Sequence, residues 1–171
     1  MTGSGFAEYL LNQRPDGTVL AGAGDVRQAT SSDIEVIRDI DTKAGRSPAD
    51  EVAFAAPILD ENRLVVVASV DGSIAGWGKT HFWSYADGQA PGGHYLGGVT
   101  VLPAFRRHGI ARALTQARLD WIWARTDSAW YIVNLSNQAS IDFHRQWGFT
   151  EVARAAKFHM TSFTGGIGLL L

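Results

Sequence analysis

The sequence contains no cysteine among its 171 residues. A disulfide framework is therefore excluded, and so is catalysis through an acyl-cysteine intermediate. Neither sign of charge dominates, because 17 Asp and Glu residues are balanced by 15 Lys and Arg residues, leaving a net charge of −2. A nucleic-acid-binding protein normally carries a basic face. The charge balance therefore argues against DNA or RNA as a partner.

Long apolar runs are also missing. No run approaches the length needed to cross a bilayer, and the chain does not open with the charged and apolar segments of a signal peptide. We therefore expect a cytoplasmic protein without membrane contact. An apolar content of 46% suits one domain with a single core, expected over 25–171. The glycine-rich residues 1–24 are expected to form an N-terminal arm or a partly disordered segment.

Local patterns predict the order of strands and helices. A strand is expected at 26–29, and the capping box Ser32-Asp33-Ile34-Glu35 predicts a helix that continues to Lys43. The segment 47–62 lacks a regular pattern. Asp71-Gly72 is typical of a hairpin turn. Further strands are expected at 64–70, 74–82, 95–101, 149–159 and 161–171, with a turn-rich loop at 84–93.

The most specific pattern is a basic, glycine-containing turn between an apolar strand and an amphipathic helix. The strand at 95–101 ends before Pro103, which stops sheet pairing, and apolar residues return at helical spacing over 111–123. Gly109 allows a tight turn, and the unpaired N–H groups of the first helical turn point at any anion placed there. Positive charge is added by Arg106, Arg107 and Arg112. This order predicts a pyrophosphate-binding site.

A second block follows about thirty residues later, as expected for the next strand and helix of a compact α/β unit. Residues 129–135 are typical of a buried strand, and 137–149 of a short helix closed by Gly148. The two patterns, Arg-x-x-Gly-x-Ala and Asn-x-x-Ser-x-x-Phe-His-x-x-x-Gly-Phe, resemble the two motifs of the GNAT superfamily of N-acetyltransferases. The resemblance covers roughly 25–170 and is strongest over 95–150.

This resemblance implies an α/β fold of the mixed α+β kind. A central mixed, mostly antiparallel sheet of about six or seven strands is flanked by about four helices. Acetyl-CoA is the implied co-substrate, and no metal is expected. A bulge in the cofactor strand parts it from its neighbour and admits the pantetheine arm. We place that bulge at Gly97-Gly98, because glycine commonly marks bulges and close backbone approach.

The resemblance also implies the cofactor-binding residues. Backbone groups of Val99, Thr100 and Val101 are expected to polarise the thioester carbonyl as it becomes an oxyanion. The other cofactor-binding residues are expected at the basic turn and in the second motif: Arg106, Arg107, His108, Gly109, Ile110, Ala111, Arg112, Asn137, Ser140 and Phe143.

The second motif departs from the family pattern at one position. A Tyr normally follows Phe143 and returns a proton to the departing thiolate, whereas this sequence has His144 there. An imidazolium at this position could donate that proton, a neutral imidazole could relay one, or His144 is a surface residue without a catalytic part. The central strands contain no carboxylate. His81 and His94 are therefore the nearest candidates for the general base, with Asp87 in the loop between them.

Acidic and aromatic residues near the expected amine site indicate the acceptor. Asp87, together with acidic residues in and after the first helix, would attract a polycationic amine, and Trp83 and Tyr85 could stack on sugar rings. This combination resembles the acetyltransferases that modify aminoglycosides and so confer antibiotic resistance. A protein N-terminus, a lysine, a polyamine, or a non-catalytic acetyl-CoA-binding role are the alternatives. The last apolar strand is either an edge strand or a homodimer contact.

Overall fold

The computed structural model describes residues 24–171, which form a seven-stranded sheet covered by helices on both faces and a separate two-stranded ribbon. The predicted N-terminal arm lies outside the described residues, except for Gly24. The first half of the described chain contains β1 Asp25–Gln28, α1 Ile34–Lys43, α2 Val52–Leu59, β2 Val65–Val70, β3 Ser73–Trp83 and β4 Gly93–Val101. The second half contains α3 Ile110–Trp123, β5 Trp130–Asn134, α4 Gln138–Arg145, β6 Ala153–Ala155, β7 Lys157–Phe158, β8 Thr161–Ser162 and β9 Gly168–Leu170.

The sheet has the strand order β1-β2-β3-β4-β5-β9-β6. Its neighbours are antiparallel except for β4 and β5, which are parallel. This mixed, mostly antiparallel sheet with four α-helices in the described residues confirms the predicted fold class. None of the helices between residues 24 and 171 is long and apolar enough to span a membrane.

A bulge interrupts the pairing of β3 with β4. Gly78 pairs with Val99, but Thr80 pairs with Leu96, so the single residue Lys79 lies opposite the pair Gly97-Gly98. The extra residue therefore belongs to β4, and the bulge lies where the glycine pair predicts it.

Apolar side chains cover both faces of the sheet. Alternate residues of β2 point to opposite sides, as the period of a strand requires. Val65 packs with Phe54 of α2 and with side chains of α1, whereas Val66 packs with Leu114 of α3. Helices α1 and α2 therefore lie on one face and α3 on the other.

The first helix begins differently from the prediction. The capping box consists of Thr30 and Asp33, not of Ser32 and Glu35, and a short 3₁₀ turn at Ser31–Asp33 precedes α1. The Thr30 N–H donates to Asp33 Oδ2 at 2.7 Å. Arg27 holds the same carboxylate through two bonds of 2.8 Å. These bonds to Asp33 explain why the cap lies at Thr30, two residues before the predicted cap at Ser32.

Two further predictions were wrong in part. The segment 47–62 contains the helix α2, whose apolar residues surround the helix and so hide its period: Val52 and Leu59 are exposed, while Phe54 is buried. The two long final strands are replaced by four short ones. The chain turns at the positive φ angles of His159 and of the pair Gly165-Gly166, which ends strand pairing there.

Candidate active site

The parallel strands β4 and β5 pair at only two positions and then separate. Tyr95 pairs with Trp130 and Leu96 pairs with Tyr131. Beyond these pairs, the part of β4 that carries the bulge no longer pairs with β5. A cleft of about 680 Å³ opens there. It is lined by residues of the loop after α1, by the bulge, by β5 and α4, and by the segment 161–164.

Five of the predicted site residues line this cleft, although they are distant in the sequence: His81, Val99, Asn137, Ser140 and His144. Asn137 caps α4, because its side chain accepts the Ser140 N–H at 3.2 Å. The cap places the start of α4 at the cleft. Phe143 lies on the same helix, edge-on to Trp147, and is not part of the lining.

His144 is buried beneath the cleft. Its ring stacks on Tyr131 with centroids 4.0 Å apart, and its Nδ1 lies 2.8 Å from the Ser140 carbonyl oxygen. Because a carbonyl only accepts hydrogen bonds, Nδ1 carries the proton and Nε2 is the basic nitrogen. Burial lowers the pKa of His144 to about 4; the charge of Arg118 adds to the lowering, and the bond to Ser140 opposes it. His144 is therefore neutral at pH 7.

His81 lies against the bulge. A Cβ on Gly97 would come within 2.9 Å of His81 Cδ2, so the absence of a side chain at Gly97 provides the room for the imidazole. Burial is the main cause that lowers the pKa of His81 to about 4. The positive charges of Lys79, Arg63 and Arg118 lower it further. This second cleft histidine is also neutral at pH 7.

His94 lies on the opposite face of the sheet from His81. His81 pairs with Tyr95 and His94 pairs with Phe82, so the two histidines occupy alternate positions of the hairpin. The buried His94 ring packs edge-on against Trp121 of α3 at 5.3 Å. Burial lowers its pKa. The structure thus separates the two candidates for the general base, and only His81 reaches the cleft.

The predicted acceptor residues do not line the cleft. Trp83 stacks on the buried His159 at 4.4 Å, and Tyr85 meets the same ring edge-on at 5.6 Å. Asp87 lines a smaller cavity of about 280 Å³ with residues of β6 and β7, among them Lys157. These side chains belong to the far end of the β3–β4 hairpin.

The basic turn has the geometry that an anion requires. Gly109 has a φ angle of +82°, and a Cβ at this position would meet nothing within 4 Å. It directly precedes α3, a helix of 14 residues whose first N–H groups lack intrahelical partners. Exposed side chains around the turn are Arg106, Arg107, His108 and Arg112, whereas Ile110 is buried and Ala111 half-buried.

Among residues 24–171, the end of the strand before this turn pairs on one side only. Val99, Thr100 and Val101 pair with β3 through Gly78, Trp77 and Gly76, while their other edge faces the gap toward β5. An open strand edge presents N–H and C=O groups that a ligand can use. The residues present therefore fit acetyl-CoA, with an anion site at the turn and a backbone edge leading to the cleft.

Two residues that line the cleft, and one buried behind it, were not predicted from the sequence. Arg46 lines the cleft from the loop after α1. Tyr131 lines it from β5, and its hydroxyl is hydrogen-bonded to Ser140 Oγ. Burial raises the pKa of the Tyr131 phenol. Arg118 lies behind the bulge. The sequence indicates its burial only through its position, because it lies between Leu114 and Ile122 on the apolar face of a helix. No cluster of metal-ligating side chains occurs within residues 24–171.

Comparison with protein families identifies the class. A family described as acetyltransferase (GNAT) matches residues 33–149, which is more than half of the chain. The protein therefore belongs to the GNAT family of acetyltransferases. It is an N-acetyltransferase, and its family uses acetyl-CoA. A comparison with curated proteins finds no match.

Solved structures share the fold at low sequence identity. The ribosomal-protein-S18-alanine N-acetyltransferase from Escherichia coli is 23% identical with a TM-score of 0.67, and the match covers 86% of this chain and 90% of that one. Ard1 from Thermoplasma volcanium is 22% identical with a TM-score of 0.64, covering 87% and 95%. An aminoglycoside 6'-N-acetyltransferase from Acinetobacter haemolyticus is 20% identical with a TM-score of 0.60, covering 80% and 98%.

Proposed function

We propose that this protein transfers the acetyl group of acetyl-CoA directly to a primary amine that enters the cleft between β4 and β5. One observation carries the proposal: the bulged strand has an open edge beside the cleft and runs directly into the basic turn of Gly109. One continuous segment thus combines an anion site with an open strand edge whose backbone N–H groups can bind the carbonyl oxygen of a thioester. Bound acetyl-CoA would supply an activated acetyl thioester.

The turn and the strand would hold the co-substrate. N–H groups at the start of α3 donate to the pyrophosphate, and Arg106 and Arg112 add attraction for its charge. The open edge at Val99–Val101 would offer backbone N–H groups to a thioester carbonyl that gains negative charge during attack. Hydrogen-bond donors fixed at that edge stabilise the developing oxyanion without reorganisation.

The reaction needs a proton to leave the amine. As the amine nitrogen bonds to the carbonyl carbon and the carbon–sulfur bond breaks, one proton leaves the nitrogen and one is taken up by the thiolate. Neutral His81 and His144 can relay these protons through water, with Nε2 of His144 as the accepting atom. Their low pKa values make both weak bases. We therefore expect the amine to reach its reactive form by equilibrium with solvent.

The charges around the cleft favour an acceptor that is not a polycation. Arg46 lines the cleft, and Lys79 and Arg118 act on His81, as does Arg63, whose charge is offset by its ion pair with Asp60. Three of the acidic residues in the first helix and the segment after it are engaged by other groups: Asp39 pairs with Lys43 at 2.6 Å, Asp41 accepts from Trp77 at 3.0 Å and Asp60 pairs with Arg63 at 2.7 Å. The α-amine of a peptide, which carries one positive charge, fits this environment better than an aminoglycoside.

The aminoglycoside acceptor is retained as the second candidate. Its support is the likeness of the fold to an aminoglycoside 6'-N-acetyltransferase and a cleft wide enough for a sugar ring. A polyamine would meet the same positive charges as an aminoglycoside. A cytoplasmic location, a homodimer through the last strands and a separate N-terminal arm also stay predictions.

The test is a panel of acceptors with acetyl-CoA, in which release of the CoA thiol is followed. The panel contains short peptides with different first residues, several aminoglycosides and a polyamine. Turnover with peptides and not with aminoglycosides supports the first candidate, and the reverse supports resistance by drug modification. If the protein binds acetyl-CoA but releases no CoA thiol with any acceptor in the panel, the result would favour a non-catalytic sensor.

A further inference from the structure

A completely buried arginine lies behind the bulge of the cofactor strand. Arg118 belongs to α3 and is 0% exposed. Its guanidinium donates four hydrogen bonds to uncharged oxygen atoms, and no carboxylate is among their acceptors. Nε donates to the Leu114 carbonyl at 3.1 Å and Nη2 to Thr115 Oγ1 at 2.8 Å. Nη1 donates to the carbonyls of Lys79 at 3.0 Å and Gly97 at 3.1 Å.

Burying a guanidinium without a carboxylate is costly, and an apolar residue would suit this side of the helix better. The neighbouring strand β3 nevertheless leaves room for the guanidinium, because it has a glycine at the point of contact. A Cβ on Gly78 would lie 3.0 Å from Arg118 Nε and 3.2 Å from its Cζ. Even a methyl group at Gly78 would therefore require the guanidinium to shift by a few tenths of an ångström. This fit argues that the arginine has a task at this place.

That task concerns the carbonyls of Lys79 and Gly97, which lie at the bulge and both accept from Arg118. Lys79 and Gly97 lie opposite each other at the irregularity, where antiparallel pairing is broken. Buried carbonyls need partners, and one Nη1 group satisfies both. The contact joins β3, β4 and α3 at one point. It also turns the Gly97 carbonyl toward α3 and away from the cleft.

We propose that Arg118 is a positioning residue for acetyl transfer: by holding the carbonyls of Lys79 and Gly97, it keeps β4 bulged, with its open edge and His81 directed into the cleft. This inference rests on the proposed function for its kinetic part. Arg118 contacts neither of the predicted substrates, and the anion turn at Gly109 lies outside its contacts. Loss of Arg118 should therefore affect the rate of transfer more than the binding of acetyl-CoA.

The position of the charge provides a readout that needs no substrate. The charged groups that act on His81 are Lys79, Arg63 and Arg118. Within residues 24–171, Arg118 is the one charged side chain that acts on His144. Removing the guanidinium should raise the pKa of both imidazoles. The two rings then report on Arg118 in the unliganded protein.

The experiment compares Arg118→Met with a matched control, Thr115→Val, which removes one partner of the guanidinium and leaves both bulge contacts in place. We expect Arg118→Met to lower kcat at least tenfold at saturating acetyl-CoA, with less than a threefold change in the Kd of acetyl-CoA measured calorimetrically. NMR titration of the unliganded variant should show higher pKa values for His81 and His144. Thr115→Val should keep kcat and both pKa values close to those of the unmodified protein.

A second variant covers the case in which Arg118→Met does not fold. Gly78→Ala keeps the charge but requires the guanidinium to shift by a few tenths of an ångström, which weakens its bonds to the carbonyls; it should lower kcat by less than tenfold while leaving the pKa of His144 nearly unchanged. A folded Arg118→Met with unchanged kcat would overturn the proposal, even if the imidazole pKa values rise. If the unmodified protein acetylates no amine at all, the proposed function fails, whereas the NMR titrations still show whether Arg118 controls the cleft histidines.

Discussion

Replacement of Gly109 by valine tests the cofactor site most directly. The φ angle of Gly109 is +82°, a region that β-branched residues avoid, and a Cβ there would meet no protein atom within 4 Å. The substitution therefore causes backbone strain of about 2 kcal/mol and no internal clash. A loss of that size lowers Tm by roughly 4–8 °C in a chain of this length. We expect the variant to fold.

The loss of acetyl-CoA affinity should be larger than the strain implies. The valine methyl groups would occupy the open space in front of the first turn of α3, where the pyrophosphate is expected. If two charge-assisted hydrogen bonds from backbone N–H groups are lost, at about 1.5–3 kcal/mol each, the binding free energy weakens by about 3–6 kcal/mol. This corresponds to an increase in Kd of at least about 100-fold.

A matched control separates strain from ligand contact. Gly72, in the hairpin turn between β2 and β3, has a φ angle of +79° and also meets nothing within 4 Å of its would-be Cβ. Gly72→Val should lower Tm by a similar amount and leave acetyl-CoA affinity unchanged. Calorimetric titration of both variants with acetyl-CoA decides the matter. Equal Kd values for Gly109→Val and Gly72→Val would refute the assignment of the turn.

Three further predictions concern the histidines. His81→Ala should lower kcat about tenfold or more with little change in acetyl-CoA affinity, whereas His94→Ala should lower only Tm. Equal losses of activity in the two variants, measured by steady-state kinetics, would contradict this prediction. Because the pKa values of His81 and His144 are lowered to about 4, kcat/KM for a peptide acceptor should rise as the acceptor's amine is deprotonated, without a further limb near pH 6.5. A limb near pH 6.5 would show that one of these histidines is not neutral at pH 7. Between pH 4 and pH 6.5 the unfolded state binds more protons at His144 than the folded state does, so the free energy of unfolding is highest above pH 6.5 and falls as the pH is lowered, by about 2 kcal/mol at pH 5. In urea unfolding, His144→Gln should lose less of this free energy between pH 7 and pH 5 than the unmodified protein, and an identical loss would count against the prediction.

Sequence patterns predicted those parts of the fold that depend on neighbouring residues. Asp71-Gly72 marks the hairpin between β2 and β3, and Gly97-Gly98 marks the bulge, because glycine permits backbone geometry that other residues resist. Helix α2 could not be predicted this way, since its sequence is apolar on all sides and contains Pro57. The ends of the last strands depend on a positive φ at His159, a conformation that is uncommon for any residue other than glycine.

The candidate site was predictable only in part. The basic turn and Asn137 were visible because both are local motifs. His81 and His94 looked equivalent as sequence positions, but the hairpin register directs them to opposite faces of the sheet. Trp83 and Tyr85 were expected at the cleft and instead pack around His159, more than seventy residues later in the chain. Aromatic side chains follow the nearest apolar surface, and the sequence does not show which surface that is.

The sequence by itself determined the class of protein, because an anion-binding turn and a glycine bulge are set by the conformational freedom of a few adjacent residues. Only the tertiary structure decided the chemistry of the cleft. The neutrality of His144 and the contacts of Arg118 arise from burial and from carbonyl groups that lie 21 and 39 residues away along the chain. Electrostatic interactions depend on distance and desolvation in three dimensions, and a one-dimensional pattern contains neither.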